Sequence, residues 1–141
     1  MSKKYYVVNI DTGVGRVMRS TEHLTQNFIV NEVKSYKSEI VLYSQSLLND
    51  IQKMRDRFGK TKINSALRTL SQNSTLDTSS HVKGCAFDIR QYKGVAIDVM
   101  NRYWKKIRSY KGGTGLYYKK KFFHVDNDKV KGEREWKGKG D

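Results

Sequence analysis

The chain has 141 residues, 37% hydrophobic and 30% charged, a length and composition that suit one globular domain with a sizeable core. Lysine and arginine number 28 against 14 acidic residues, giving a formal net charge of +14; the partner it implies is polyanionic, whether nucleic acid or a phosphate-bearing wall. A lone cysteine, Cys85, excludes a disulfide framework and a Cys-rich zinc knuckle, no apolar run approaches the roughly 20 residues of a membrane span, and the N-terminus lacks an apolar signal region, so synthesis in a cytoplasm is expected.

In chain order, Lys4–Ile10 is rich in aromatic and β-branched residues and reads as a short strand. Asp11–Gly15 is a turn, and Asn27–Tyr36 a short helix or turn. Leu47, Leu48, Ile51, Met54 and Phe58 recur at helical spacing, with Gly59 as C-cap. Lys62–Leu67 is strand-like and enters a polar loop, Thr69–Ser80. In the strand-like Val82–Ile89, Gly84, Ala86 and Asp88 share one face while Cys85, Phe87 and Ile89 share the other. Val95–Tyr110 carries an amphipathic stripe of Val95, Val99, Met100, Tyr103, Trp104 and Ile107. KGGTG at Lys111–Gly115 breaks that helix, Leu116–Tyr118 and Phe122–Asp126 read as a hairpin, and Asn127–Asp141 is a polar tail apart from Trp136. With no repeat and no linker, the expectation is one α+β domain over residues 1–141, its small antiparallel sheet packed by helices on one side.

Two segments carry candidate chemistry. In SSHVKGCAFDI, His81 precedes the strand and Asp88 lies near its end; in FFHVD, His124 and Asp126 share a strand face. Two imidazoles and one carboxylate form a common three-ligand set for catalytic zinc, with a fourth position left for water. Small residues at Gly84 and Ala86 would leave room for metal and substrate beside Asp88. The remaining histidine, His23, lies in no comparable arrangement. Cys85, facing away from Asp88, reads as a buried core thiol.

The segment Ser79, His81, Gly84, Ala86, Asp88 resembles the Ser-x-His-x-x-Gly-x-Ala-x-Asp metal motif of the zinc D-alanyl-D-alanine carboxypeptidase family, which includes phage L-alanyl-D-glutamate endolysins. GGTGLY at Gly112–Tyr117 with FHVD at Phe123–Asp126 is similar to that family's second metal motif. LTQNFIVNE at Leu24–Glu32 is similar to its opening, and Arg68 sits where the family has Ser-Gly-Tyr-Arg. The resemblance runs from about residue 24 to residue 136, after an N-terminal strand and extension over 1–23.

It implies a zinc peptidase acting on peptidoglycan stem peptides or cross-links, with Zn2+ held by His81, Asp88 and His124. It implies substrate contacts from Arg68, Ser79 and Tyr117, Arg68 gripping a carboxylate or carbonyl through its planar fork; a structural ion pair and aromatic packing are the other readings of Arg68 and Tyr117. Many members place an acidic general base three residues before the second histidine, where this chain has Lys121. Asp126 is then the substitute base, or else it orients a ligand imidazole. The expected setting is a phage enzyme acting at the anionic wall, free or in association with virion proteins. The alternatives are a virion component that keeps the fold without turnover and a basic nucleic-acid-binding module, the latter disfavoured because no usual nucleic-acid motif is present.

Overall fold

The computed structural model describes residues 3–35, 38–67 and 80–138. Strand β1 (Lys4–Asn9) uses its alternation as expected: Tyr5 and Val7 enter the core and Tyr6 faces out. It pairs antiparallel with β2 (Val14–Arg19) and parallel with β3 (Ile40–Tyr43), in the order β2-β1-β3. A short helix, α1 (Val30–Val33), lies between β2 and β3.

Helix α2 (Gln45–Phe58) starts where Ser44 Oγ accepts from Leu47 N at 3.3 Å, satisfying one of the first-turn donors. It buries Leu47, Leu48, Ile51 and Met54. Gln52 of this helix also anchors the segment before α1, accepting from Thr25 Oγ1 at 2.7 Å and Asn27 N at 2.8 Å. Leu24 and Phe28 are buried, and Glu32 accepts from Ile29 N. The LTQNF…E pattern is therefore a packing and capping device.

The second sheet contains β4 (Ile63–Ser65), β5 (Ala86–Arg90), β6 (Gly113–Tyr117), β7 (Phe122–Asp126) and β8 (Arg134–Lys137), in the order β4-β5-β7-β6-β8. All neighbours are antiparallel except β6 and β8. Phe87, Ile89, Leu116, Phe123 and Val125 form its core face; the helix α3 (Ile97–Ile107) packs on β6 and β7 and in turn on α2. Trp104 of α3 meets Phe123 edge to face at 6.4 Å. The other face is polar. In register across it stand Ser65, Asp88, His124, Gly115 and Trp136.

The architecture is α+β, and three strands exceed the expectation: β2, β3 and β8. The sheet is also mixed rather than wholly antiparallel. Two local differences have clear causes. The strand expected from Val82 starts at Ala86, because residues 80–84 make a tight turn in which Gly84 N and Cys85 N bond His81 O and Ser80 O. Gly84 has φ 81°, and a Cβ there would stand 2.7 Å from Leu42 O, so its small size serves the turn rather than the face of Asp88. Strand β6 begins at Gly113 rather than Leu116, since its glycines continue the ladder and accommodate side chains from β8.

Candidate metal centre

Strand β5 presents Asp88 and strand β7 presents His124 as direct register partners, and the turn at 80–84 folds His81 over them. His81 Nε2 lies 3.3 Å from Asp88 Oδ2, and His124 Nδ1 lies 2.9 Å from Asp88 Oδ1. One ligand atom from each residue falls within 4.8 Å of the others, and all three residues are buried. Tetrahedral ligands at zinc–donor lengths stand about 3.3 Å apart, so the spacing suits a small divalent ion.

The far nitrogen of each ring fixes its tautomer. His81 Nδ1 is 2.8 Å from Ala66 O, and His124 Nε2 is 2.8 Å from Asp126 Oδ2. A carbonyl and a carboxylate only accept, so each of those nitrogens carries the proton. In the neutral rings the acceptor nitrogens are then His81 Nε2 and His124 Nδ1, both turned toward Asp88. With both rings neutral, those two nitrogens and the Asp88 carboxylate form a set that could hold a divalent cation. In the metal-free protein burial alone would lower the His124 pKa, but its bonds to Asp126 and Asp88 outweigh burial and raise it, so a proton on the ring serves the two carboxylates instead. Burial likewise pushes the Asp88 carboxyl up, and its contacts with His124 and His81 more than reverse that.

Asp126 is 1% exposed. Its Oδ1 accepts from Gly113 N at 3.1 Å and Asp128 N at 3.2 Å, and the Arg134 guanidinium spans both oxygens at 3.2 and 2.7 Å. Burial raises its pKa, but the bond to His124, the charge there, and the bonds from Gly113 and Arg134 bring it down to about 2. Asp128 serves the other side of the site. It accepts from Ser80 Oγ at 2.8 Å and Lys83 Nζ at 3.0 Å, bracing the turn that carries His81.

Among the sequence-derived candidates, His81, Asp88, His124 and Asp126 come together, while Arg68 and Ser79 lie outside the described residues. Tyr117 flanks the site: its ring stacks on Phe122 at 4.0 Å and its hydroxyl accepts from Trp136 Nε1 at 3.0 Å. Cys85 is buried, its thiol pKa pushed up to about 12 mainly by desolvation, and it stands outside the cluster. Lys121 is exposed at φ 59° in the turn between β6 and β7, beside Arg90 and Lys93 in a cavity of about 500 Å³. Sequence reading missed Ala66, Asp128, Arg134 and Trp136. The last two had one available signal: Arg-x-Trp presents two bulky groups on one strand face, and Gly113-x-Gly115 clears the matching face of a neighbour.

A buried two-histidine, one-aspartate cluster on an α+β sheet defines a candidate mononuclear metallohydrolase. The Peptidase M15 family profile matches residues 18–126, most of the chain, which therefore belongs to that family of zinc-dependent peptidases. Neither the curated proteins nor the solved structures contain a significant match. Among the described residues, no helix is long and apolar enough to cross a membrane.

Proposed function

We propose that this chain hydrolyses peptide bonds in bacterial peptidoglycan, in stem peptides or cross-links, as a zinc D,D-carboxypeptidase or endopeptidase of phage origin, free or virion-associated. The observation that carries the reading is the convergence of His81 Nε2, Asp88 and His124 Nδ1, each ring held from behind in the tautomer a metal needs. Bound there, zinc supplies Lewis acidity and a nucleophilic water near neutral pH. The net charge of +14 favours an anionic wall.

In this reading His81, Asp88 and His124 hold the ion. Arg68 and Ser79 bind the substrate's carboxylate or carbonyl, and Tyr117 lines the rim. Asp126 acts as a positioning residue. A general base works best with a pKa near the working pH, whereas Asp126, held at about 2 by its donors, is a weak base on the side of His124 away from Asp88.

That position of Asp126, together with Lys121 at the usual acidic place, favours a second reading: a virion component that holds zinc without turnover. Digestion of purified peptidoglycan, with mass analysis of the fragments, separates the two. Wild type should release muropeptide fragments and His81→Ala none; cleavage that survives His81→Ala would sink the zinc mechanism. Asp126→Ala should lose cleavage at limiting zinc and regain part of it at saturating zinc. No recovery at saturating zinc would return Asp126 to the role of base. Zinc uptake by wild type with no fragment released would establish the structural reading.

A further inference from the structure

The site depends on a strand that lies beyond the residues matched by the family. We propose that β8 is a working part of the metal centre, in which Arg134 and Trp136 are positioning residues that hold His124 with Nδ1 toward Asp88. This rests on reading His81, Asp88 and His124 as metal ligands.

Three contacts build the case. First, Arg134 grips Asp126 with both terminal nitrogens, at 3.2 and 2.7 Å, and also donates to Gly132 O at 2.9 Å. A planar fork fixes the direction of a carboxylate, which a lysine ammonium cannot do. Second, Asp126 so aimed accepts a hydrogen bond from His124 Nε2 at 2.8 Å, which keeps the proton on Nε2 and turns the Nδ1 lone pair toward Asp88. Third, the Trp136 ring lies 5.0 Å from the His124 ring and 5.3 Å from the Arg134 guanidinium, and its Nε1 is tied to Tyr117. Trp136 therefore restricts the imidazole on one side while Arg134 restricts its carboxylate.

Strand β6 is cut to fit this arrangement. A Cβ on Gly113 would stand 2.8 Å from the Arg134 guanidinium and 2.5 Å from Asp126 Oδ2, and one on Gly115 would stand 2.8 Å from the Trp136 ring. Two glycines in one strand cost stability. Here they clear the path by which Arg134 and Trp136 of β8 cross β6 to reach β7. Without Arg134, the Asp126 carboxylate keeps only the Gly113 and Asp128 backbone donors on Oδ1, and among the described contacts only His124 directs the Oδ2 that faces the ring.

The test measures zinc affinity by competition with a chromophoric chelator, together with the visible spectrum of the Co2+ form, on protein shown to be folded by circular dichroism. Arg134→Lys and Arg134→Gln should bind zinc about 10–100-fold more weakly, the range for lost outer partners of metal ligands, and should shift the Co2+ bands. Trp136→Phe should weaken binding only several-fold. Affinities for both Arg134 variants within twofold of wild type, with unchanged Co2+ bands, would overturn the proposal. Should Arg134→Gln fail to fold, Arg134→Lys decides it, because that change keeps the charge and removes only the fork. If His81→Ala binds zinc as tightly as wild type, or wild type binds none, the ligand assignment itself has failed, and this proposal falls with it.

Discussion

His124 and His81 face the same carboxylate, yet the protein holds them by different means. His124 sits mid-strand in β7, between β5 and β6, with a buried carboxylate and an arginine behind it. His81 sits in a turn; its Nδ1 bonds the backbone carbonyl of Ala66, and the turn is braced by Asp128 through Ser80 and Lys83. The His124 side is thus set by sheet register and charge, which resist displacement together. On the His81 side the described contacts are the Gly84 turn, the Ala66 carbonyl and the Asp128 brace. A site built this way keeps two ligands, Asp88 and His124, on paired strands and brings the third to them on a turn.

The largest effects should come from the ligands themselves. His81→Ala and His124→Ala should each weaken zinc binding well beyond 100-fold, more than loss of an outer partner would. Without metal, the two should part. His124→Ala removes one bond each from buried Asp126 and Asp88 and the packing on Trp136, which should cost about 2–4 kcal/mol; His81→Ala should cost about 1–2 kcal/mol. Urea denaturation of the metal-free proteins measures both. Equal losses would mean that the strand and the turn hold their histidines equally well.

Gly84→Ala and Gly115→Ala probe the same contrast with smaller changes. At Gly84 an alanine must adopt φ 81° and meet Leu42 backbone atoms at 2.7–2.8 Å, neither of which can yield cheaply. A stability loss of about 2–3 kcal/mol is expected, with weaker zinc binding as the turn shifts. At Gly115 the obstacle is the Trp136 ring, a side chain that can swing away. Thermal unfolding should show a loss nearer 1 kcal/mol, while Trp fluorescence changes because the indole leaves His124. A Gly84→Ala protein as stable as wild type would remove the strained turn as the device that positions His81.

How much of this was legible in the sequence follows from the same physics. Asp88 could be placed on one face of its strand, and His124 with Asp126 on one face of theirs, because strand alternation is strictly local; that the two faces coincide follows from the register of β5 and β7, while the core stripes of α2 and α3 follow from helical spacing. Gly84 serves the turn and not the face of Asp88, which the sequence does not show because a glycine beside a strand does not reveal its φ. Gly113 and Gly115 read as helix breakers because glycine is disfavoured in strands; its use there depends on Arg134 and Trp136, which are distant in sequence. Strand β8, REWK, carries three charges in four residues, so its single aromatic gave no apolar alternation to detect. Asp50 lies outside the apolar stripe of α2, yet it is buried and accepts from Ser109 N and Oγ just after α3. In each case the missing information was a partner far along the chain.

The smallest effect concerns acid. Asp128 is 2% exposed, and although burial raises its pKa, bonds from Ser80, Lys83 and Lys131 N more than offset burial and hold it below the usual carboxylate value. A carboxyl depressed on folding contributes stability that is fully present above its unfolded pKa, near 4, and is lost as pH falls through its folded pKa. The turn carrying His81 should therefore loosen in metal-free protein as pH drops below about 4, ahead of the His124 side, where Asp126 is held at about 2. Asp128→Asn keeps the shape and removes the titration, so it should flatten the acid limb of a stability–pH curve while costing about 1 kcal/mol at neutral pH. Hydrogen exchange resolved by residue can follow the order directly. Residues 80–84 should lose protection at a higher pH than β7, and simultaneous loss would mean that the turn and the strand open as one unit rather than as two.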